Sequence, residues 1–469
     1  MLKKNDVIEL YIDGSGYEGE GVGRIDGMPV FVPYAAKGDT ALVKIVKVAK
    51  THAFGRLEQI LKPSDIRCDA PCIAFGKCGG CSIMHLSYEA QLELKRERVA
   101  DCMKKIGRLD VKVLPTIHSE KQFRYRNKVQ LPVGQAEDGG PFVGFYANRS
   151  HRIVQNENCL LQSEQSDEVV AAFLEWMKEN GISAYNEDTG KGLVRHLFIR
   201  QGENKNGETE LLAMPVINGK RLPAEELLAE TMKKAGVTCL CVNINRAKTN
   251  VILGDETRVV FGSGYVEDVL CENTFKISPE SFYQVNRPQA EKLYNIALDM
   301  ADISKDDVVY DLYCGAGTIT LCAAKRAGMV YGIEIVPEAV ENAKENAKLN
   351  GIENIEFLCG DVAETVRELK KRAKPRVVIV DPPRKGCDNA SLDLLLELKP
   401  DKIAYISCNP ATLARDMAYL CERGYAHGDV QPVDLFPNTS HVETVALLTQ
   451  MKPDDYLTIE LNEEDLRKN

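Results

Sequence analysis

No apolar run long enough to cross a bilayer or to act as a secretion signal opens the sequence; Met1 to Gly14 alternates charged groups with isolated apolar ones. The expected setting is the cytoplasm, without membrane attachment. Net positive charge is missing too. At −10 overall, the chain carries no blanket basic coat, which confines any nucleic-acid contact to local surfaces without excluding it. Internal repeats and long low-complexity tracts are absent, which excludes solenoid architectures. The 15 cysteines lack the short secreted context in which a disulfide scaffold would be read. That leaves buried thiols, metal ligands and a reactive cysteine.

What is present is more than one ordinary core can use: 469 residues point to about two to four domains. Residues 1–61 read as short alternating strands separated by turn residues, namely Val7 to Ile12, a Gly-rich stretch through Gly23, then Pro29 to Pro33, Asp39 to Val48 and Ala53 to Ile60. That pattern predicts a small OB-like barrel. Lys44, Lys47 and Lys50, with Arg24, offer either a surface that tracks a phosphate backbone or an ordinary solvated strand face. Residues 62–270 predict an α+β region with helices around Ser166 to Asn180 and Pro223 to Ala235. A charged helix from about Ser87 to Arg108, opened by Ser87 as N-cap, is a candidate to pack on the next domain despite its early position. Over 271–452 strands and helices alternate, predicting a doubly wound, mostly parallel Rossmann-like sheet. Residues 453–469 are acidic and poor in core-forming groups, and read as a loosely held tail.

Asp311-Leu-Tyr-Cys-Gly-Ala-Gly-Thr318 follows a buried-looking strand and precedes a helix, so Gly315 and Gly317 permit a tight turn close to a ligand. Glu334 ends the second strand, where a carboxylate accepts hydrogen bonds from ribose hydroxyls. A dinucleotide loop would need glycine at position 320, which is Thr320. An adenosine-containing ligand without a pyrophosphate, S-adenosylmethionine, fits better. Asp361 is either a contact on the adenine side or a helix-capping aspartate. Asp381-Pro-Pro-Arg-Lys-Gly386 ends the fourth strand and places a carboxylate beside a substrate base. Amino-group methyltransferases have an aromatic residue after the prolines; here it is Arg384, which favours carbon methylation.

Cys408, in Ser-Cys-Asn-Pro, lies between a strand end and a helix start, a position whose field is expected to favour thiolate. Such a thiolate, added to carbon 6 of uracil, makes carbon 5 nucleophilic. The carbon 5 proton must then leave, and His441-Val-Glu443 offers Glu443 or His441 as base. A second cysteine group, Cys72-x5-Cys78-Gly-Gly-Cys81 with Cys159 as a distant fourth and Cys68 in reserve, suits an iron–sulfur cluster or zinc. Its first gap is longer than the C-x3-C-x2-C loop that radical methyltransferases need. Phe123 to Lys128 interleaves aromatic and basic groups; with Tyr146, Arg149, His151 and Arg152 it is a candidate surface for stacking bases and holding phosphates.

Taken in order, Ser-Phe-Tyr-Gln-Val-Asn286, the glycine loop, Asp-Pro-Pro-Arg-Lys-Gly, Ser-Cys-Asn-Pro and His-Val-Glu-Thr-Val resemble the RNA uracil-5-methyltransferase family. The resemblance implies that Gln284, Tyr313, Glu334 and Asp381 contact the methyl donor, that Cys408 is the nucleophile and that Glu443 takes the proton. With the barrel and the cysteine loop, it is similar to the branch acting on 23S ribosomal RNA, which implies a TRAM domain and a [4Fe–4S] cluster held by Cys72, Cys78, Cys81 and Cys159. Transfer RNA is the rival substrate, and a non-catalytic RNA-binding assembly factor is the rival class. No obligate protein partner is evident.

Overall fold

The computed structural model describes residues 2–451; the expected acidic tail lies outside the described residues. Alternation in β1 (Val7–Ser15) turns Leu10 and Ile12 inward. With β2 (Gly21–Ile25), β3 (Met28–Val32), β4 (Thr40–Val48) and β5 (Ala53–Lys62) it closes a barrel in the order β1-β2-β3-β5-β4. Val30, Val32, Val43 and Ile45 fill it. The end of the Gly-rich stretch through Gly23 lies in β2. A Cβ on Gly23 would come within 2.4 Å of the Tyr11 carbonyl oxygen, so this glycine serves close strand packing and does not mark a turn.

α1 (Tyr88–Cys102) begins at Ser87, whose Oγ accepts from the Ala90 N–H, and its end widens into a π turn over Met103–Gly107. The middle region builds a seven-stranded sheet from β6 (Lys128–Gln135), β7 (Pro141–Tyr146), β8 (Ile153–Gln155), β9 (Val194–Glu203), β10 (Thr209–Ile217), β11 (Cys239–Ile244) and β12 (Glu256–Phe261). Its order is β12-β11-β10-β9-β6-β7-β8. One face is covered by α2 (Glu164–Glu179) and α3 (Glu225–Lys234), which bring Phe173, Trp176 and Leu228 to Leu197 and Ile199. Next comes a hairpin, β13 (Val266–Leu270) and β14 (Asn273–Ile277), and a division at 270/271 falls between its two strands. The other sheet face joins the last third of the chain there: Phe198, Leu212 and Met214 share one apolar cluster with Phe275, Leu293 and Val309.

After α4 (Arg287–Ala301) the chain alternates through β15 (Val308–Leu312), α5 (Thr318–Ala324), β16 (Met329–Glu334), α6 (Pro337–Leu349), β17 (Ile355–Cys359), α7 (Val362–Leu369), β18 (Val377–Val380), α8 (Asn389–Leu398), β19 (Lys402–Ser407), α9 (Pro410–Cys421), β20 (Tyr425–Val433) and β21 (Glu443–Gln450). The sheet order is β17-β16-β15-β18-β19-β21-β20. β15 to β19 run parallel, and β21 is antiparallel to both β19 and β20. Val378 and Val380, unexposed on a central strand, read as the continuous apolar run such a sheet demands. The order reverses between β15 and β18, and the crevice beyond the carboxyl ends of those strands is where ligands bind in this class of sheet. α1 lies on α9 and β20; a Cβ on Gly107 would sit 2.8 Å from the Ala414 carbonyl oxygen.

Candidate active site

Four strand ends converge on that crevice. Beyond β15, Tyr313 takes φ 69°, Gly315 φ 54° and Gly317 φ 81°, a left-handed path that turns the backbone sharply. A side chain on Gly315 would meet nothing within 4 Å, so the loop faces open space, whereas Gly317 packs against Phe357, Ala343 and Leu321. Glu334, ending β16, accepts from the Gly315 N–H at 3.1 Å and the Val336 N–H at 2.9 Å. Each of its oxygens keeps lone pairs for a ligand. Asp311 is fully buried; one of its oxygens accepts from the Thr320 hydroxyl at 2.5 Å and the other has no partner among the described residues. Tyr313 Oη bonds the Ser391 hydroxyl at 2.9 Å, leaving its ring and backbone for the crevice. Gln284, half-buried, lies in the loop before α4, where the Asn127 amide donates to its carbonyl at 3.0 Å. Asp361 is the N-cap of α7: its Oδ1 accepts from the Ala363 and Glu364 N–H groups.

Cys408 and Glu443 meet through sheet register. Ser407 pairs with Thr444 across β19 and β21, and the Thr444 hydroxyl donates to the Ser407 carbonyl at 2.9 Å. The next residue along each strand end is therefore Cys408 on one side and Glu443 on the other. Glu443 is buried; loss of water and the neighbouring Asp381 push its carboxyl up to about 8, against the pull of Arg384. Asp381, half-buried after β18, is pushed by desolvation to about 7. Cys408, half-buried, is pushed up to about 11 by desolvation, Glu443 and Asp381, with Arg384 opposing. The thiolate expected from the start of α9 is thus not the resting state, because burial and two carboxyls outweigh the helix end. His441 is surface-accessible, yet poorly hydrated surroundings and the cations of Arg384, Arg98, Lys95 and Arg126 lower it to about 4. Arg384 is the influence the sequence reading missed, having noted it only as a non-aromatic; so is Phe282, 70% exposed two residues before Gln284.

The cysteine group also assembles. Cys72, Cys78, Cys81 and Cys159 line one cavity of about 250 Å³, with Phe75, Lys128 and Arg126 in its wall. Burial and the other thiols raise Cys78, Cys81 and Cys159 above the ordinary thiol range. Cys68 is exposed, bonds the Met84 carbonyl and stays off that wall. Among the described residues no group of three or more His, Cys, Asp or Glu is placed to hold a metal ion; the thiols stand around a space, not on a point.

Of the expected RNA-facing segment, part is consumed inside the protein. Tyr125 is buried and donates to the Pro437 carbonyl at 3.1 Å, and Arg124 bonds Asp167 at 2.7 Å and two backbone carbonyls. Arg149, His151 and Arg152 are exposed, as are Lys47 and Lys50, while Arg24 is held by Asp13 at 2.6 Å. No helix among the described residues is long and apolar enough to cross a membrane.

Comparison with known proteins agrees with this geometry. The TRAM domain family matches residues 2–57, most of the barrel, and the tRNA (uracil-5-)-methyltransferase family matches residues 224–451. An uncharacterized RNA methyltransferase of Halalkalibacterium halodurans is 44% identical over 452 residues, covering 95% of this chain and 98% of that one. Another, from Clostridium acetobutylicum, is 45% identical over 456 residues, covering 96% and 98%. The crystal structure of Pyrococcus abyssi tRNA (uracil-54, C5)-methyltransferase in complex with S-adenosyl-L-homocysteine superposes with a TM-score of 0.76 at 28% identity, covering 94% of this chain and 100% of that one. A crevice at the strand-order reversal, a glycine loop open to a ligand and these matches lead to one conclusion: the chain belongs to the tRNA (uracil-5-)-methyltransferase family of S-adenosylmethionine-dependent RNA methyltransferases, with a TRAM domain in its amino-terminal part.

Proposed function

We propose that the protein forms 5-methyluridine in 23S ribosomal RNA through a covalent bond between Cys408 and carbon 6 of the uracil. The observation that carries this reading is the Ser407–Thr444 register, which sets a thiol and a buried carboxyl side by side at the mouth of the crevice. Gln284, Tyr313, Glu334 and Asp381 would hold the methyl donor; the open side of Gly315 and the free lone pairs of Glu334 beside it fit an adenosine ligand there. S-adenosylmethionine, when bound, supplies an electrophilic methyl on a cationic sulfonium, whose charge favours ionised carboxyls and thiolate alike.

The chain's own part is proton and charge control. Cys408 loses its proton to solvent and its sulfur bonds to carbon 6, pushing the ring electrons onto carbon 5 and the carbonyl oxygen. Carbon 5 takes the methyl group as its bond to the donor's sulfonium breaks, and the electron pair of that bond would stay on the donor's sulfur as a neutral thioether. Glu443, as carboxylate, removes the carbon 5 proton, the carbon 5–carbon 6 double bond reforms, and sulfur leaves as thiolate. Glu443, near about 8, is a far stronger base than His441, near about 4. The extruded uracil must reach Cys408 from outside, and exposed Phe282 offers a face on which a base can stack.

The cavity lined by Cys72, Cys78, Cys81 and Cys159 is read as the seat of a [4Fe–4S] cluster. Four thiols around a volume suit a cluster, which holds its ligands farther apart than a lone ion does, and Lys128 and Arg126 in the wall balance its negative charge. Anaerobically purified protein should contain about four iron atoms per chain; stoichiometric zinc without iron refutes this assignment.

Incubating the protein with labelled methyl donor and separate ribosomal and transfer RNA transcripts tests the substrate. Transfer RNA is the second reading, favoured by the superposed structure, whose own substrate is uracil 54 of tRNA. Label entering only transfer RNA would overturn the ribosomal assignment. Cys408→Ala should abolish labelling of either RNA, and Glu443→Gln should accumulate a protein–RNA adduct that survives denaturation.

A further inference from the structure

The β1–β2 turn of the barrel, residues 16–20, stands almost 400 positions from the nucleophile in sequence, yet it closes one side of the catalytic loop. Tyr17 Oη donates to Asn409 Oδ1 at 2.9 Å. Asn409 follows Cys408 directly, and its amide is engaged at both ends: Oδ1 also accepts from the Ala411 N–H at 3.1 Å, capping α9, and Nδ2 donates one N–H to the Arg384 carbonyl at 3.0 Å. One amide therefore ties the barrel, the nucleophile loop and the Asp-Pro-Pro-Arg loop together. The turn is itself held in place. The Arg98 guanidinium stacks 3.7 Å from the Tyr17 ring centre and bonds the Ser440 carbonyl. Glu18 faces Arg149 of the middle domain at 3.4 Å. Gly19 is tight against Ile83 and Ser440, where a Cβ would approach Ile83 to 2.5 Å at a φ of +87°.

We propose that Tyr17 is a positioning residue for catalysis: its hydroxyl orients the Asn409 amide, and through the Arg384 backbone it sets the arginine that opposes the carboxyls around Cys408. This rests on the reading of Cys408 as nucleophile. RNA docking on the barrel and readiness of the thiol are then mechanically joined, since the turn that belongs to the barrel also grips the residue next to the sulfur. A tyrosine is required over phenylalanine because only the hydroxyl reaches Asn409, and Arg98 stacked on the ring restricts its movement.

The test is Tyr17→Phe, which keeps the ring and the stacking and removes one hydrogen bond. Single-turnover methylation should slow about three- to tenfold while KM for the RNA stays unchanged, and the pH profile for carboxymethylation of Cys408, followed peptide by peptide, should shift from that of the wild type in the absence of RNA. Tyr17→Ala, which also frees Arg98, should slow turnover further with the unfolding midpoint reported alongside. A rise in KM at unchanged turnover makes Tyr17 an RNA contact and overturns the proposal; so does an unaltered rate with an unaltered carboxymethylation profile. Cys408→Ala run in parallel separates the two levels: full turnover there sinks the nucleophile assignment, whereas an inactive Cys408→Ala beside an unaffected Tyr17→Phe sinks the positioning role alone.

Discussion

Burial pushes the proposed nucleophile Cys408 and the proposed base Glu443 toward protonation states opposite to those the proposed roles require. A thiol at about 11 and a carboxyl at about 8 both favour the protonated form at neutral pH, so on the proposed roles the free enzyme holds nucleophile and base in reserve. The proton-abstracting form of Glu443 is the carboxylate, which grows as pH rises through the folded-state value. Accordingly kcat/KM, which reports groups of the free enzyme, should climb with pH from neutrality through about 8. A profile flat between about 6 and 9 would remove Glu443 from the base role. The sequence named both residues, because motif order is local information; it missed the upward push on the thiol, because that comes from burial and from the charges of Asp381 and Glu443, 27 and 35 positions away, brought there only by folding.

Strands explain why so many carboxyls gather at one edge. Parallel β15, β16 and β18 deliver Asp311, Glu334 and Asp381 at their carboxyl ends, and antiparallel β21 brings Glu443 at its start. Asp311, Asp381 and Glu443 bind protons up to about 7, 7 and 8 in the folded protein, well above the ordinary carboxylate range near about 4. With folded values raised, the native state holds more protons than the unfolded chain between those limits. The stability these groups contribute is full below the unfolded values and lost as pH rises through the folded ones. The unfolding temperature of the ligand-free protein should fall as pH rises from about 6 to about 8.5, and Asp311→Asn, which keeps an acceptor for Thr320, should flatten that slope. An identical slope in the variant would show that the orphaned carboxyl is not its source.

Across the whole molecule, α1 ties the barrel's β1–β2 turn to the last third of the chain, packing on α9 and β20 and reaching Tyr17 and Ser440 through Arg98. Lys95 on α1 and Asp434 after β20 form an ion pair at 2.5 Å, both side chains without exposure, and Tyr88 adds a bond to the same carboxylate at 2.9 Å. Removing one partner strands a buried charge, so Lys95→Ala should cost about 3–5 kcal/mol in denaturant unfolding; a loss under about 1 kcal/mol would mean the pair is dispensable. The sequence by itself determined the alternating strands of the barrel, the βα alternation of the last third, the glycine loop and the identity of the chemistry-bearing side chains, because turn residues, periodicity and short motifs act over a few neighbours. Only the tertiary structure decided that β2 begins inside the Gly-rich stretch, that the middle sheet and the hairpin at 266–277 share a core with the catalytic sheet, that Arg124 and Tyr125 serve the interior, and that Tyr17 reaches Asn409. Those outcomes depend on which distant surfaces exclude water from one another, and that is a property of the closed fold and not of any stretch of chain.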